Sequence, residues 1–166
     1  MKLEKLSSKY YELIFDYYNA NKDHLEPWEP TRAKNYYTLD FHIQRTNKRM
    51  ELIKQKKSMF FVLLNDSKDK VMGVCNYTDI ENEECWLGYS ISKDYQGGGY
   101  MYGALVNTNN YMLREFPIKK INAGIIIQNY RSIKLINRLS FEATGNYKKL
   151  KINGKNEKLE IYSLNK

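Results

Sequence analysis

Cysteine and histidine are both scarce in this sequence. The 166 residues include only two cysteines, Cys75 and Cys85, and two histidines, His24 and His42. Neither cysteine belongs to a CxxC pair, and protein metal sites draw several ligands of these types from close spacings. The sequence therefore predicts no metal centre. Both cysteines fall inside predicted strands, so we expect buried free thiols.

Long apolar segments are absent as well. No run of residues reaches the length that a membrane-spanning helix requires. The charged start Met1–Lys5 is not followed by the apolar stretch of a secretory signal. We therefore expect a cytoplasmic protein with no membrane partner. A length of 166 residues fits one core, so residues 1–166 are predicted to form a single domain.

Acidic residues are outnumbered, because 27 lysines and arginines face 19 aspartates and glutamates, a formal net charge of +8. A positive protein suits an acidic partner such as RNA, the ribosome or a nucleotide cofactor. The basic residues are scattered, however, and asparagine, isoleucine and tyrosine are also abundant. A bias in residue usage is therefore the alternative explanation. The densest basic stretch, Lys54–Lys57, is typical of a helix C-terminus, where cations offset the dipole.

Apolar periodicity divides the chain into helices and strands. The predicted helices span residues 8–20, 39–57, 99–115 and 130–139. The predicted strands span residues 58–64, 71–80, 84–92, 119–127, 143–152 and 157–164. Ser8 is the candidate N-cap of the first helix, the proline-containing segment 24–30 is predicted to be a loop, and Asn153-Gly154 is predicted to be a turn. An antiparallel meander over 58–92, then alternating helix and strand, predicts an α/β protein whose mixed sheet carries helices on both faces.

A glycine triplet, Gly97–Gly99, separates a predicted strand from a predicted helix. Glycines permit positive φ and leave no Cβ between the backbone amides and a ligand. The helix start adds unsatisfied N–H groups and the positive end of the dipole. Together these features fit a diphosphate, although a plain strand-to-helix turn is the alternative. A Rossmann loop fits less well, because no parallel βαβ unit with a downstream acidic residue surrounds the triplet.

The segment Gln96-Gly97-Gly98-Gly99-Tyr100-Met101 resembles the [Gln/Arg]-x-x-Gly-x-[Gly/Ala] loop of the GNAT acetyltransferases, with Met101 in place of the usual last residue. Four further segments are similar to the ribosomal-protein-alanine N-acetyltransferases of the RimJ/RimL type: 25–30, 85–91, Asn129-x-x-Ser132 and 139–145. Ser140 stands where that family usually has glycine. The resemblance implies a GNAT fold, a mixed and mostly antiparallel sheet of six to seven strands with helices on both faces. Its first strand would be short here.

The resemblance also implies acetyl-CoA as cosubstrate. The residues that it places against acetyl-CoA are Tyr89, Ser90, Ile91, Gln96, Gly97, Gly98, Gly99, Tyr100, Met101, Asn129 and Ser132. The glycine loop would cradle the diphosphate, and the strand carrying Tyr89–Ile91 would bulge and splay from its neighbour. Pantetheine would pair with backbone groups in that gap. A strand amide would stabilise the oxyanion, Asn129 would bond the pantetheine arm, and Ser132 would lie near the sulfur.

Some GNAT enzymes use a glutamate and a tyrosine as base and acid, but Gly124 and Ile136 occupy about those positions here. Ser132 is the candidate acid, with a first-turn or capping serine as the alternative. Glu29 is the second candidate catalytic residue, which would hold the acceptor ammonium and pass its proton to water, with a solvated loop carboxylate as the alternative. Trp28 is the candidate wall of the acceptor cleft, with a core plug as the alternative.

The leading prediction is transfer of an acetyl group from acetyl-CoA to an amine, by direct attack in a ternary complex. The expected acceptor is the N-terminal α-amine of a protein such as a ribosomal protein. One alternative is a small-amine enzyme acting on a polyamine or drug. The other alternative is a GNAT-fold module that binds the ribosome or RNA without turnover.

Overall fold

A computed structural model describes residues 1–152 and 154–166. Seven strands form one sheet in the order β1-β2-β3-β4-β5-β7-β6. They are β1 Lys2–Lys5, β2 Met59–Leu64, β3 Val71–Glu81, β4 Glu84–Ile91, β5 Lys120–Ile126, β6 Glu142–Ile152 and β7 Lys155–Asn165. All neighbours pair antiparallel except β4 and β5, which are parallel. The predicted mixed, mostly antiparallel sheet and its antiparallel meander are confirmed.

In the described part of the chain, five α-helices connect the strands: α1 Tyr11–Ala20, α2 Lys22–Leu25, α3 Leu39–Lys54, α4 Tyr100–Glu115 and α5 Tyr130–Arg138. The four long helices predicted from periodicity are therefore present, with ends that differ by a few residues. No helix among residues 1–152 and 154–166 is long and apolar enough to cross a membrane.

Two local predictions are wrong, and a third falls partly outside the described residues. Ser8 is not the N-cap of the first helix, because Ser8–Tyr10 form a 3-10 turn and α1 begins after Tyr10. The segment 24–30 is not a plain loop, because it holds the end of α2 and a 3-10 turn at Glu26–Trp28. Proline suits such a first turn, where its missing N–H needs no partner. The predicted turn at Asn153-Gly154 includes Asn153, which lies outside the described residues.

Helices cover both faces of the sheet. Phe61, Cys75 and Cys85 belong to the core beneath α4 and α5, whereas Phe60 packs in the core beneath α1 and the 3-10 turn at residues 34–37. Successive residues of a strand point to opposite faces, which explains why all of β2 is buried. Both cysteines are free and buried, as predicted.

The sheet opens between β4 and β5. Three parallel residue pairs join these strands, and the last of them is Trp86–Asn122. Beyond it, β4 stays paired to β3 as far as Ile91, and β5 stays paired to β7 as far as Ile126. The predicted splay is therefore confirmed. The predicted bulge is wrong, because β4 keeps an unbroken register with β3 from Trp86 to Ile91.

Candidate functional site

A cleft of about 1010 Å³ lies where β4 and β5 diverge. That volume is at the upper end for small-molecule sites in proteins. All site residues predicted from the sequence line it except Gly98. The predicted residues in its walls are Trp28, Glu29, Tyr89, Ser90, Ile91, Gln96, Gly97, Gly99, Tyr100, Met101, Asn129 and Ser132. The topology thus brings the β4 segment, the glycine loop, the start of α5 and the turn near residue 28 to one place.

The glycine loop has the conformation that its composition predicts. Gly97 and Gly99 have φ of 79° and 75°, and a Cβ added to either would meet nothing within 4 Å. Gly99 is the N-cap of α4, and no side chain caps that helix start. Its amides therefore remain available to an anion. Gly98 has a packing role, because a Cβ there would lie 2.6 Å from the ring of Tyr100.

Met101 departs from the usual small residue without disturbing this loop. Its side chain is buried, with its Sδ 3.7 Å from Cys75 Sγ. Gly73 on β3 leaves room for it, because a Cβ at Gly73 would lie 3.0 Å from the Met101 methyl. The larger side chain therefore fills the core beneath the loop, and the amides above it stay exposed to the cleft.

The β3–β4 ladder decides which backbone groups face the gap. Ser92 N–H donates to the Met72 carbonyl over 2.7 Å, so these opposite residues form a hydrogen-bonded pair. Hydrogen-bonded and non-hydrogen-bonded residue pairs alternate along an antiparallel ladder. The backbone N–H and C=O groups of Ser90, two residues before Ser92, therefore point toward β3. Those of Tyr89 and Ile91 point instead into the gap that β5 has left. Two residues of the predicted trio therefore present free backbone groups, and Ser90 does not.

A pair of hydroxyl groups joins β4 to α5 across the cleft. Tyr89 Oη and Ser132 Oγ are 2.6 Å apart, and the tyrosine hydroxyl also lies 3.3 Å from the Ser132 carbonyl oxygen. Burial raises the pKa of Tyr89 to about 12, so its phenol is protonated at neutral pH. Asn129 caps α5 by accepting the Ser132 N–H over 3.2 Å. Ser132 is thus a first-turn residue whose hydroxyl is held by Tyr89.

The other end of the cleft is built from the segment around residue 28. Trp28 is 40 % exposed, so the alternative that it plugs the core is wrong. Glu29 is partly buried and accepts a hydrogen bond from Arg32, so it is not a solvated loop carboxylate. The Arg32 guanidinium lies 4.3 Å from the centre of the Tyr36 ring. Glu29 is therefore fixed in the cleft wall by a partner that the sequence analysis missed.

The positions of the alternative acid and base carry no ionisable group. Gly124 lines the cleft, where a Cβ would lie 3.2 Å from Leu159, and Ile136 is fully buried in the core. Among the described residues that line the cleft, Glu29 is the only carboxylate. No group of His, Cys, Asp or Glu side chains in the described part of the chain could hold a metal ion.

Comparison with known families and proteins agrees with this geometry. Residues 1–142 match the acetyltransferase (GNAT) domain. The chain belongs to the GNAT acetyltransferase family. This GNAT enzyme is 35 % identical over 135 residues to the [ribosomal protein uS5]-alanine N-acetyltransferase of Escherichia coli, a match that covers 80 % of this chain and 70 % of the relative.

Solved structures show the same fold. The ribosomal-protein-S5-alanine acetyltransferase of Vibrio fischeri superposes with a TM-score of 0.93 at 29 % identity, covering 98 % of this chain and 91 % of that one. Mycobacterium smegmatis RimJ in complex with CoA-disulfide gives a TM-score of 0.90 at 18 % identity, covering 98 % and 80 %.

Acetyl-CoA is the cosubstrate of this GNAT enzyme, and it supplies the activated acetyl group. Three features of the cleft fit it. The space above Gly97 and Gly99 is open, the start of α4 is uncapped, and the backbone groups of Tyr89 and Ile91 face the gap between the strands. A diphosphate and an extended amide chain need these groups in this order.

Proposed function

We propose that this enzyme acetylates the N-terminal α-amine of a protein, and that the protein is ribosomal. The observation that carries the proposal is the shortage of carboxylate bases among the described residues of the cleft. His24 also lines the cleft, but its Nε2 lies 3.1 Å from the side-chain amide nitrogen of Gln96. The one described carboxylate of the cleft, Glu29, is already bonded to Arg32. An α-amine has a pKa of about 8, so its neutral form costs only about 1 kcal/mol at pH 7, whereas a lysine side chain costs about 4.6 kcal/mol. A site whose one described carboxylate is already paired with an arginine favours the α-amine, which loses its proton more easily than lysine does.

The relatives support the same class of acceptor. The Escherichia coli relative acts on the alanine of ribosomal protein uS5, and the chain covers 70 % of its length. The net charge of +8 suits a ribosomal target, since ribosomes are rich in phosphate. We propose that residues 1–166 act as one domain in the cytosol, where such targets are made.

The two alternative functions fit the cleft less well. A polyamine is a cation, and the described residues that line this cleft include several basic side chains but only one carboxylate. Repulsion would weaken polyamine binding there. A module that binds the ribosome without turnover has no need of a glycine loop with free amides at a helix start.

Ser132 is the proton donor of the proposed mechanism. Either hydroxyl of the Tyr89–Ser132 pair can donate to the other. In the proposed mechanism Tyr89 donates to Ser132 Oγ, which leaves the serine hydrogen free to point at the leaving sulfur. As the serine gives up that hydrogen, the tyrosine hydroxyl stabilises the oxygen left behind. The free amides of β4 are available to bond the carbonyl oxygen of the transferred group. Tyr89 acts through Ser132, so it is a positioning residue.

Glu29 and Trp28 receive the acceptor in this proposal. Arg32 bonds one oxygen of the Glu29 carboxylate, Oε2, and Oε1 remains for a positive amine. Trp28 presents its exposed indole to the same cleft and gives the incoming peptide an apolar wall. Neither residue takes up a proton from the amine. Water accepts one proton from the ammonium before attack and a second from the positively charged nitrogen after attack, and it returns a proton to Ser132 once the thiol has left.

The pH dependence of kcat/KM tests the acceptor. With a peptide that begins with alanine, kcat/KM should rise with one apparent pKa near about 8 and then become constant, because only the neutral amine reacts. The control is the same peptide with a blocked N-terminus and one internal lysine, which should not be acetylated at neutral pH. Efficient turnover of the blocked peptide would contradict the proposal.

A further inference from the structure

Three cationic side chains follow one face of α5. Arg131, Lys134 and Arg138 are spaced at i, i+3 and i+7, which places them on the same side of a helix. All three are exposed and line the cleft. We call these three residues the α5 basic stripe. Neighbouring like charges on a helix cost stability, so the arrangement points to an anion that binds there.

The α5 basic stripe is held beside the glycine loop by neutral partners. Arg131 donates a hydrogen bond to Gln96 Oε1 over 2.7 Å, and the amide nitrogen of Gln96 lies 3.1 Å from His24 Nε2. The Arg138 guanidinium lies 4.6 Å from the centre of the Tyr102 ring, on the first turn of α4. An amide and an aromatic ring orient these cations but do not neutralise them.

The charge of the cleft is therefore uneven. Its one described carboxylate, Glu29, is bonded to Arg32 at the acceptor end. The diphosphate has its own ligands in the backbone of the glycine loop and the dipole of α4. Among residues 1–152 and 154–166, no carboxylate forms an ion pair with the α5 basic stripe. Acetyl-CoA carries one further anion, the phosphate on the 3′ position of its ribose.

We propose that Arg131, Lys134 and Arg138 bind the 3′-phosphate of acetyl-CoA, and that this contact lets the enzyme distinguish acetyl-CoA from its 3′-dephospho form. Arg131 and Arg138 offer forked donors that match phosphate oxygens, and Lys134 between them adds a point charge. The proposal rests on acetyl-CoA as cosubstrate. It requires nothing of the acceptor.

Calorimetric titration without an acceptor tests the proposal. The wild-type enzyme should bind acetyl-CoA at least about tenfold more tightly than acetyl-3′-dephospho-CoA, since charged hydrogen bonds to the phosphate are lost. The Lys134→Gln/Arg138→Gln variant keeps Arg131, so its affinity for acetyl-CoA should fall most of the way to that of wild type for the dephospho form. Its affinity for the dephospho form should stay within about twofold of wild type, because that ligand lacks the contacted group.

A matched variant separates local contact from general charge. Like the test variant, Lys57→Gln/Lys149→Gln removes two exposed positive charges, but neither position lines the cleft. It should bind both ligands as wild type does. Equal wild-type affinity for the two ligands would overturn the proposal. Equal weakening of both ligands by Lys134→Gln/Arg138→Gln would also overturn it, by assigning these cations to the diphosphate. If neither ligand binds wild type, the cosubstrate itself is wrong.

Discussion

Two parts of the cleft offer their ligands different kinds of chemical group. Where the diphosphate of acetyl-CoA binds, the ligand-facing groups are backbone amides, set out by Gly97, Gly99 and the start of α4. At the acceptor end they are side chains, Trp28 and the Glu29–Arg32 pair, carried by a short irregular segment. A backbone site depends on chain conformation and tolerates many side chains around it. A side-chain site can change its acceptor through one or two substitutions, which explains how one fold serves many amines.

Substitutions in the Tyr89–Ser132 hydroxyl pair should have the largest effect on kcat. Ser132→Ala is expected to lower kcat by about 100-fold, the usual size of a lost general acid, with little change in the acetyl-CoA KM. Tyr89→Phe should lower kcat by less, because Ser132 keeps its own hydrogen. In the Ser132→Ala background, Tyr89→Phe should have no further effect. Steady-state kinetics of the four forms measures this cycle, and additive losses would show that Tyr89 does not act through Ser132.

The role of the glycine loop in acetyl-CoA binding can be tested by adding a side chain to one of its glycines. Gly99→Val should weaken acetyl-CoA binding at least about tenfold, because its side chain enters the open space over the amides. Gly145→Val is the matched control. Gly145 also has a positive φ, 74°, with nothing near its Cβ, but it lies on β6 outside the cleft lining. Calorimetry should find normal affinity in that control, and equal losses in both would assign the effect to strain.

Substitutions at the acceptor end of the cleft should have smaller effects on the kinetics. Glu29→Gln is expected to raise the acceptor KM several-fold, about 1 kcal/mol for a partly exposed charge contact, without moving the apparent pKa near 8 of kcat/KM. Arg32→Gln should lower that KM or leave it unchanged, because it frees the Glu29 carboxylate for the ammonium. Peptide kinetics across pH checks both variants. A collapse of kcat in Glu29→Gln would instead make Glu29 the base.

The helix that carries Ser132, α5, is followed by a residue in an unfavourable backbone conformation. Ser140 follows α5 with a φ of 63°, and Phe141 N–H donates to the Ile136 carbonyl over 3.2 Å, as in a Schellman motif. Ser140→Gly should raise the free energy of unfolding by about 1 kcal/mol, because glycine adopts positive φ without the Cβ penalty. Ser140→Ala keeps the Cβ and should not stabilise. Denaturant unfolding measures both, and equal stabilities would contradict the reasoning.

The sequence was informative where local rules decide the structure. The glycine triplet, the strand before it and the helix behind it are contiguous, so their geometry follows from residue type. The Tyr89–Ser132 contact joins residues 43 apart in sequence, and no spacing rule indicated it. The partner of Glu29 was missed for a different reason. Arg32 is only three residues away, but residues 29–33 belong to no helix or strand, so no periodicity places the two side chains together.

The central claim is that the acceptor is an α-amine, and one competition measures it. A peptide with a free N-terminal alanine and an internal lysine is incubated at neutral pH with isotopically labelled acetyl-CoA, the enzyme and an equal concentration of spermidine. Tandem mass spectrometry then locates the label. The account predicts the label almost wholly on the alanine nitrogen, and little on lysine or spermidine. Label on spermidine or lysine, with the alanine nitrogen left free, would contradict it.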